Sequence, residues 1–135
     1  MKRWMAILCA AVLLGCALFP GASYTEDQET VLLARMIYAL GRGESYDAKL
    51  ALGTVAMNRV ENAWFPDSLE GVLNEQHQFP IGSRYDAESL SAAHDVLSGV
   101  RALSADALYY ESACATDPRH TEKPLRTVGG FRFFR

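Results

Sequence analysis

Apolar residues recur at helical spacing in three stretches of the chain, and each stretch predicts a helix. Residues 28–40 form the first stretch. Residues 47–62 form the second, which is apolar on nearly every side until Asn58-Arg59, so we expect it to lie inside the protein. Residues 86–98 form the third, and its predicted apolar face includes His94, which favours a core position for this histidine over a metal-ligand position.

Short polar residues and glycines predict where the first two helices begin and end. Thr25 is a suitable cap for the first helix, because Gln28 follows three residues later and completes a capping box. Gly41 and Gly43 end that helix, since glycine is a poor helix former and a common C-terminal cap. Ser45 then predicts the N-cap of the second helix. The two helices therefore meet at an elbow flanked by glycines.

The elements of the second half of the chain are shorter. Asp67 or Ser68 opens a brief helix, and the aromatic stretch 107–110 predicts a strand. Residues 125–134 predict an extended segment that breaks at Gly129-Gly130. The predicted fold class is α+β, mainly α, with a short β element late in the chain.

Composition and charge narrow the class of protein. The 135 residues are 50% hydrophobic and 21% charged, which is ordinary for one globular domain. The net charge is −3 and no run of lysine or arginine occurs, so nucleic acid is not an expected partner. His77, His94 and His120 stand far apart without paired acidic neighbours, so neither a metal nor a cofactor is predicted.

The first 23 residues have the pattern of a secretory signal. A basic start, Met1-Lys2-Arg3, precedes an apolar run over residues 4–19 and a small-residue boundary over residues 20–23. The run is short for a membrane anchor, which needs about 20 apolar residues. We therefore expect residues 1–23 to be a signal peptide, residues 24–135 to form one domain, and the protein to be exported.

Two ways of processing this signal stay open. Leu13-Leu14-Gly15-Cys16 resembles a bacterial lipobox, so the signal can end before Cys16 and leave a lipid anchor there. Cleavage after Ser23 is the alternative and would give a free secreted chain. If Cys16 is removed or lipidated, Cys114 is the single remaining cysteine, which excludes a disulfide framework.

Glu44 is the first candidate for chemistry, since it follows the elbow Gly41-Arg42-Gly43 directly and precedes a buried helix. A carboxylic acid held away from water is suited to protonate a leaving-group oxygen as a general acid. The alternative is a glutamate that merely stabilises the N-terminus of the second helix.

Two other groups of residues are weaker candidates. Cys114 and His120 could meet across a loop as a nucleophilic pair, although nothing around them has a protease signature. Several aromatic residues could line a groove that stacks on sugars, although such residues more often belong to a core. They are Trp64, Phe65, Phe79, Tyr109, Tyr110, Phe131 and Phe133.

An ordered set of motifs resembles the SleB-type cell wall hydrolases, a bacterial family named for spore cortex lysis. The set begins with Arg42-Gly43-Glu44 and the stretch Ala51-Leu52-Gly53-Thr54-Val55-Ala56-Met57-Asn58-Arg59-Val60. It continues with Phe65-Pro66, Gly71-Val72-Leu73, Gln76-His77-Gln78-Phe79, Ala92-Ala93, Asp95-Val96-Leu97-Ser98-Gly99, Ala107-Leu108-Tyr109-Tyr110 and the ending at residues 128–133. The resemblance covers about residues 33–134, and its specificity lies in the order of the pieces.

This resemblance implies a lysozyme-like, lytic-transglycosylase-related fold that acts on the glycan strands of peptidoglycan. It implies one glutamate that acts first as acid and then as base, while the C6 hydroxyl of the N-acetylmuramyl sugar attacks internally. By resemblance, the residues of the substrate groove are Tyr38, Arg42, Gln78, Phe79 and Tyr109.

One position departs from the family pattern. The family reads Ala-Glu-Ala-Arg-Gly-Glu at the elbow, whereas this chain has Leu40 at the first glutamate and Glu44 at the second. Leucine transfers no proton. Two interpretations follow: Glu44 carries the proton transfer, or the domain binds or regulates peptidoglycan without cutting it.

Overall fold

Four helices precede three short strands in the computed structural model, which describes residues 27–135. The elements are α1 (Gln28–Gly41), α2 (Tyr46–Val60), α3 (Leu69–Leu73), α4 (Ala87–Leu97), β1 (Tyr109–Ser112), β2 (Arg126–Val128) and β3 (Phe131–Phe134). The proposed signal peptide and the capping box at Thr25 lie outside the described residues. None of the described helices is long and apolar enough to cross a membrane.

Helix α2 is the centre of the packing. Leu52, Val55 and Ala56 have no exposed surface, and the helix packs against α1, α3 and α4. Gly53 allows the closest approach, because a Cβ at this position would lie 3.0 Å from Val96 Cγ2 of α4 and 3.2 Å from Ile37 Cδ1 of α1. The expectation that this helix is buried on all sides is confirmed.

The predicted helix ends are largely confirmed. The Ser45 side chain accepts a hydrogen bond from the Ala48 backbone N–H at 3.3 Å, and Ser68 caps α3 in the same way through Gly71 at 3.0 Å. Helix α1 ends at Gly41 and starts after Asp27, whose side chain makes no capping bond. Two N-caps could be read from sequence because serine oxygens satisfy the free N–H groups of a first helical turn.

The prediction for His94 is wrong. The buried residues of α4 are Ser89, Ala92, Ala93 and Val96, which are spaced three and four residues apart along one stripe. His94 lies beside that stripe, so its side chain is 74% exposed, with Nδ1 4.0 Å from Asp95 Oδ1. The error arose because Leu90 and Leu97, which are only partly buried, shifted the predicted face toward His94.

The strands form one antiparallel sheet in the order β1-β3-β2. Tyr109 pairs with Phe134 at one end of the β1–β3 ladder, and Ser112 pairs with Phe131 at the other. The predicted glycine break is the turn between β2 and β3, where Gly129 has a φ of 55°, a left-handed conformation that favours glycine. The prediction of an α+β, mainly α fold is confirmed.

The packing around α2 predicts a large stability loss for a cavity at its centre. We expect Leu52→Ala to lower the free energy of unfolding by about 2–5 kcal/mol, because Leu52 is fully buried and the cavity cannot collapse completely. Urea unfolding followed by circular dichroism measures the change. Leu125→Ala is the matched control, since Leu125 is 37% exposed and its truncation should cost far less. Equal losses for both variants would contradict the central role of α2.

Candidate active site

The elbow between α1 and α2 is a tight turn that presents Glu44. Gly43 has a φ of 80°, which glycine adopts without strain, and the Glu44 backbone N–H donates to the Gly41 carbonyl oxygen at 2.9 Å. Because Ser45 already caps α2, the Glu44 side chain is released from that task. The alternative in which Glu44 only caps the second helix therefore does not describe its contacts.

The Glu44 carboxylate packs against the turn between β2 and β3. Its Oε2 accepts a hydrogen bond from the Gly130 backbone N–H at 3.1 Å, whereas no described residue donates to Oε1. A Cβ at Gly130 would lie 2.5 Å from Oε1, and one at Gly129 would collide with Oε2. Because Gly129 and Gly130 have no side chains, they leave the space that the half-buried Glu44 carboxylate occupies.

The other residues of the elbow are apolar or point to solvent. Leu40 is partly buried and packs against the core, so the position of the family's first glutamate is occupied by an apolar side chain. The guanidinium carbon of Arg42 lies 5.7 Å from the centre of the Tyr38 ring, which is a cation–π contact on the surface. Tyr38 and Arg42 are therefore brought together beside Glu44 in the chain.

A second group of predicted residues gathers around Arg59, at the end of α2. Its guanidinium carbon lies 4.9 Å from the ring centre of Phe65, 4.8 Å from that of Phe79 and 5.4 Å from that of Tyr109. Its Nη1 donates to Gln78 Oε1 at 3.0 Å, and its Nε donates to the Leu108 carbonyl oxygen at 2.8 Å. Arg59 is thus the common partner of Gln78, Phe79 and Tyr109.

A cleft of about 440 Å³ opens over Arg59. Gln78 and Tyr109 line it, whereas Phe79 is 7% exposed and lies beneath, stacked on Tyr110 with 5.4 Å between ring centres. Glu44 is not among the lining residues. The structure therefore divides the sequence-predicted site into two parts, the elbow with Tyr38, Arg42 and Glu44, and the cleft with the remaining three.

Burial changes the acid–base properties of two groups at the cleft. It lowers the pKa of Arg59, which stays protonated because an arginine begins far above neutral pH. It also raises the pKa of Tyr110, whose hydroxyl donates to the Gln78 carbonyl oxygen at 2.7 Å. The cleft is thus built around a permanent cation and a neutral phenol.

The remaining candidates lie elsewhere or have other partners. His120 stacks on Phe134 at 4.4 Å between ring centres and contacts Glu122, while the exposed Cys114 is outside the cleft lining. Trp64 is 92% exposed and also outside it. Residues 27–135 contain no group of three or more His, Cys, Asp or Glu side chains that could hold a metal ion.

Comparison with known proteins decides the family. The family model described as Cell Wall Hydrolase matches residues 43–134, a range that includes Glu44 and excludes Leu40. The chain belongs to this cell wall hydrolase family. The resemblance to SleB-type hydrolases is confirmed.

Two relatives are spore cortex-lytic enzymes. The Bacillus subtilis enzyme is 34% identical over 117 residues, which cover 82% of this chain and 38% of that protein. The Oceanobacillus iheyensis enzyme is 33% identical over 90 residues, which cover 63% of this chain and 33% of that protein. The chain thus spans less than two fifths of the length of these relatives.

Two solved structures share the fold. The catalytic domain of the Bacillus cereus SleB protein superposes with a TM-score of 0.71 at 26% identity, covering 79% of this chain and 89% of that one. The catalytic domain of the germination-specific lytic transglycosylase SleB from Bacillus anthracis gives a TM-score of 0.72 at 27% identity, covering 81% and 96%. The chain therefore shares the fold of the SleB catalytic domain.

Sequence reasoning missed Arg59 as the organiser of the cleft. The signal was present, because a charged residue near the end of a helix that is otherwise apolar must find buried partners. The three aromatic rings and the amide that surround it are up to fifty positions away in the chain, so the pattern alone did not connect them.

The contact between Glu44 and the β2–β3 turn predicts an intolerance for side chains at Gly130. We expect Gly130→Ala to lower the free energy of unfolding by about 0.5–1.5 kcal/mol, because its Cβ would displace the end of the Glu44 side chain and break its hydrogen bond to the Gly130 backbone N–H. Gly82→Ala is the matched control, since its Cβ would meet open space apart from Arg84 N at 4.0 Å. In a Glu44→Ala background the cost at Gly130 should fall, and a double-mutant cycle in urea measures this coupling. Additive losses would contradict the contact.

Proposed function

We propose that this domain acts on the glycan strands of bacterial peptidoglycan, with Glu44 as its proton-transfer group. Membership of the cell wall hydrolase family and the shared fold of two SleB catalytic domains support the substrate class. The observation that carries the role of Glu44 is its position at the elbow with Oε1 free of hydrogen bonds from the described residues.

The proposed reaction is that of a lytic transglycosylase. Glu44 gives its proton to the glycosidic oxygen as the bond to C1 of the muramyl sugar breaks. The C6 hydroxyl of the same sugar then attacks C1, and its proton returns to Glu44, so that no water is consumed. One carboxylate suffices for this scheme, in contrast to the two carboxylates of most glycosidases.

The proposed place of action is outside the cytoplasm, in the cell wall or the spore. The signal pattern over residues 1–23 supports export, and the names of the relatives support a spore or wall location. The domain meets the membrane only through this signal or through a lipid anchor at Cys16. Peptidoglycan is the proposed partner.

Binding without cutting is the second candidate function. Leu40 favours it, because an apolar side chain stands where the family pattern has an acid. The Gly130 contact also favours it, because that hydrogen bond gives Glu44 a structural task in joining the elbow to the sheet. Under this proposal the domain is a peptidoglycan-binding or regulatory module.

Replacement of Glu44 by its amide distinguishes the two candidates. If Glu44 transfers the proton, Glu44→Gln should slow the release of soluble muropeptides from purified peptidoglycan by about 10²–10⁴-fold, the usual range for loss of general acid catalysis. Glu70→Gln is the matched control, since Glu70 is exposed on α3 and should leave the rate unchanged. An unchanged rate in Glu44→Gln would dismiss the assignment.

The binding proposal predicts a different pattern. The unaltered protein should sediment with insoluble peptidoglycan and release no soluble muropeptides. Leu40→Glu should then create cutting activity, because it restores an acid at the position where the family pattern has one. A protein that neither cuts nor sediments with peptidoglycan would refute both candidates.

A further inference from the structure

The guanidinium of Arg59 is a buried cation without an ion pair to any described carboxylate. Arg59 is 2% exposed, and no described carboxylate lies within ion-pair distance of it. Its hydrogen bonds to Leu108 and Gln78 use Nε and Nη1, so Nη2 has no hydrogen-bond partner among residues 27–135. A buried charge is costly unless it is paired, and Glu75 acts on Arg59 only from beyond ion-pair distance, so the guanidinium can still bind an anion directly.

The cleft over Arg59 gives an anion access to that charge. Its volume of about 440 Å³ holds a group larger than water, and Arg119, His77 and His120 also line it. His77 adopts a φ of 63°, an uncommon conformation for a residue with a side chain. The floor and part of the rim thus carry the fixed positive charges of Arg59 and Arg119.

The acidic residues of the cleft do not supply the missing partner. Glu111 is already matched, since its Oε2 lies 3.2 Å from Arg132 Nη2 and its Oε1 accepts from the Arg119 backbone N–H at 2.6 Å. Asp117 is exposed at the outer edge. Arginine presents a planar pair of N–H groups that matches a carboxylate better than a sugar hydroxyl.

The cleft lies at a fixed distance from the elbow along the sheet. Tyr109 lines the cleft, whereas Ser112 pairs with Phe131, the residue after the Gly130 that binds Glu44. Ser112 lies three positions beyond Tyr109 in an extended strand, which corresponds to roughly 10 Å. A substrate that extends sideways from a glycan at the elbow could therefore reach the cleft.

We propose that the cleft over Arg59 binds a free carboxylate of the peptide stem that peptidoglycan carries on its muramyl sugars. The inference rests on the proposed function for the substrate class and adds the part of the substrate that is recognised. The stem is the fitting ligand because it branches from the glycan and carries carboxylates. Arg59 forms the charged floor, and Arg119 supports the anion at the rim.

Three disaccharide probes test this proposal by calorimetric titration of the unaltered protein. The first is a disaccharide with the muramyl sugar at its reducing end and an intact stem, the second has its stem carboxylates converted to methylamides, and the third has its stem removed by an amidase. All three lack the muramyl linkage that the proposed reaction cuts. We expect the first to bind roughly tenfold to a hundredfold more tightly than the second, which is the range of a charge-assisted hydrogen bond.

The third probe separates two sources of carboxylate. Removal of the stem exposes the lactyl carboxylate of the muramyl sugar, so equal binding of the first and third probes would overturn the assignment to the stem. Equal binding of the first and second probes, or binding of none, would overturn it as well. Muropeptide release and sedimentation with whole peptidoglycan measure the proposed function separately, so its failure is distinguishable from the failure of this inference.

Two variants locate the carboxylate in the cleft. Arg119→Gln changes only the rim and should reduce the affinity for the first probe severalfold while leaving the second unchanged. Arg84→Gln is its control, because Arg84 is exposed outside the cleft and undergoes the same change of charge. Arg59→Lys keeps the charge but loses the planar pair of N–H groups. It should lower the affinity for the first probe more than Arg119→Gln does. Should Arg59→Lys not fold, the rim variant decides, and equal effects of Arg119→Gln and Arg84→Gln would overturn the proposal.

Discussion

The burial of α2 on every side is the constraint on which the rest of the structure depends. Its fifteen residues span about 22 Å, and every helix of the described part packs against it. The residues of the candidate site that α2 positions lie at its two ends. One end is the elbow that presents Glu44, and the other is the last helical turn, where Arg59 donates to the carbonyl oxygen of Leu108, the residue before β1. Both parts of the candidate site therefore depend on the burial of α2.

The sheet connects those two ends. The Gly130 backbone bonds to Glu44 across 86 positions of the chain, and the Leu108 carbonyl oxygen accepts from Arg59 across 49. These contacts hold strands that would otherwise be too short to be stable alone, since an isolated hairpin is marginal in water. Glu44 and Arg59 thus have structural tasks in addition to any role in binding. For this reason variants at both positions need controls for stability as well as for activity.

The sequence predicted the local features and missed the long-range ones, for a physical reason. Helix periods, the caps at Ser45 and Ser68 and the glycine turn depend on residues within a few positions of one another, so their patterns are visible in the chain. The partner of Glu44 and the rings around Arg59 are fixed by tertiary packing, which no local pattern encodes. The prediction for His94 was wrong because it relied on Leu90 and Leu97, which are only partly buried. They placed the predicted apolar face of α4 about one residue away from the face that is buried.

At Leu40 the chain lacks the first acid of the family pattern, although it keeps the family fold. The groups that shape the cleft and the elbow are Arg59, Gly130 and the buried face of α2, and none of them requires an acid at position 40. A chain can therefore keep the fold of a cell wall hydrolase, with its elbow and its cleft, while the family's first acid is absent. Fold similarity is consequently strong support for what the domain engages and weaker support for what it cuts. Under the proposed reaction the proton at the elbow comes from Glu44, because leucine has no proton to give.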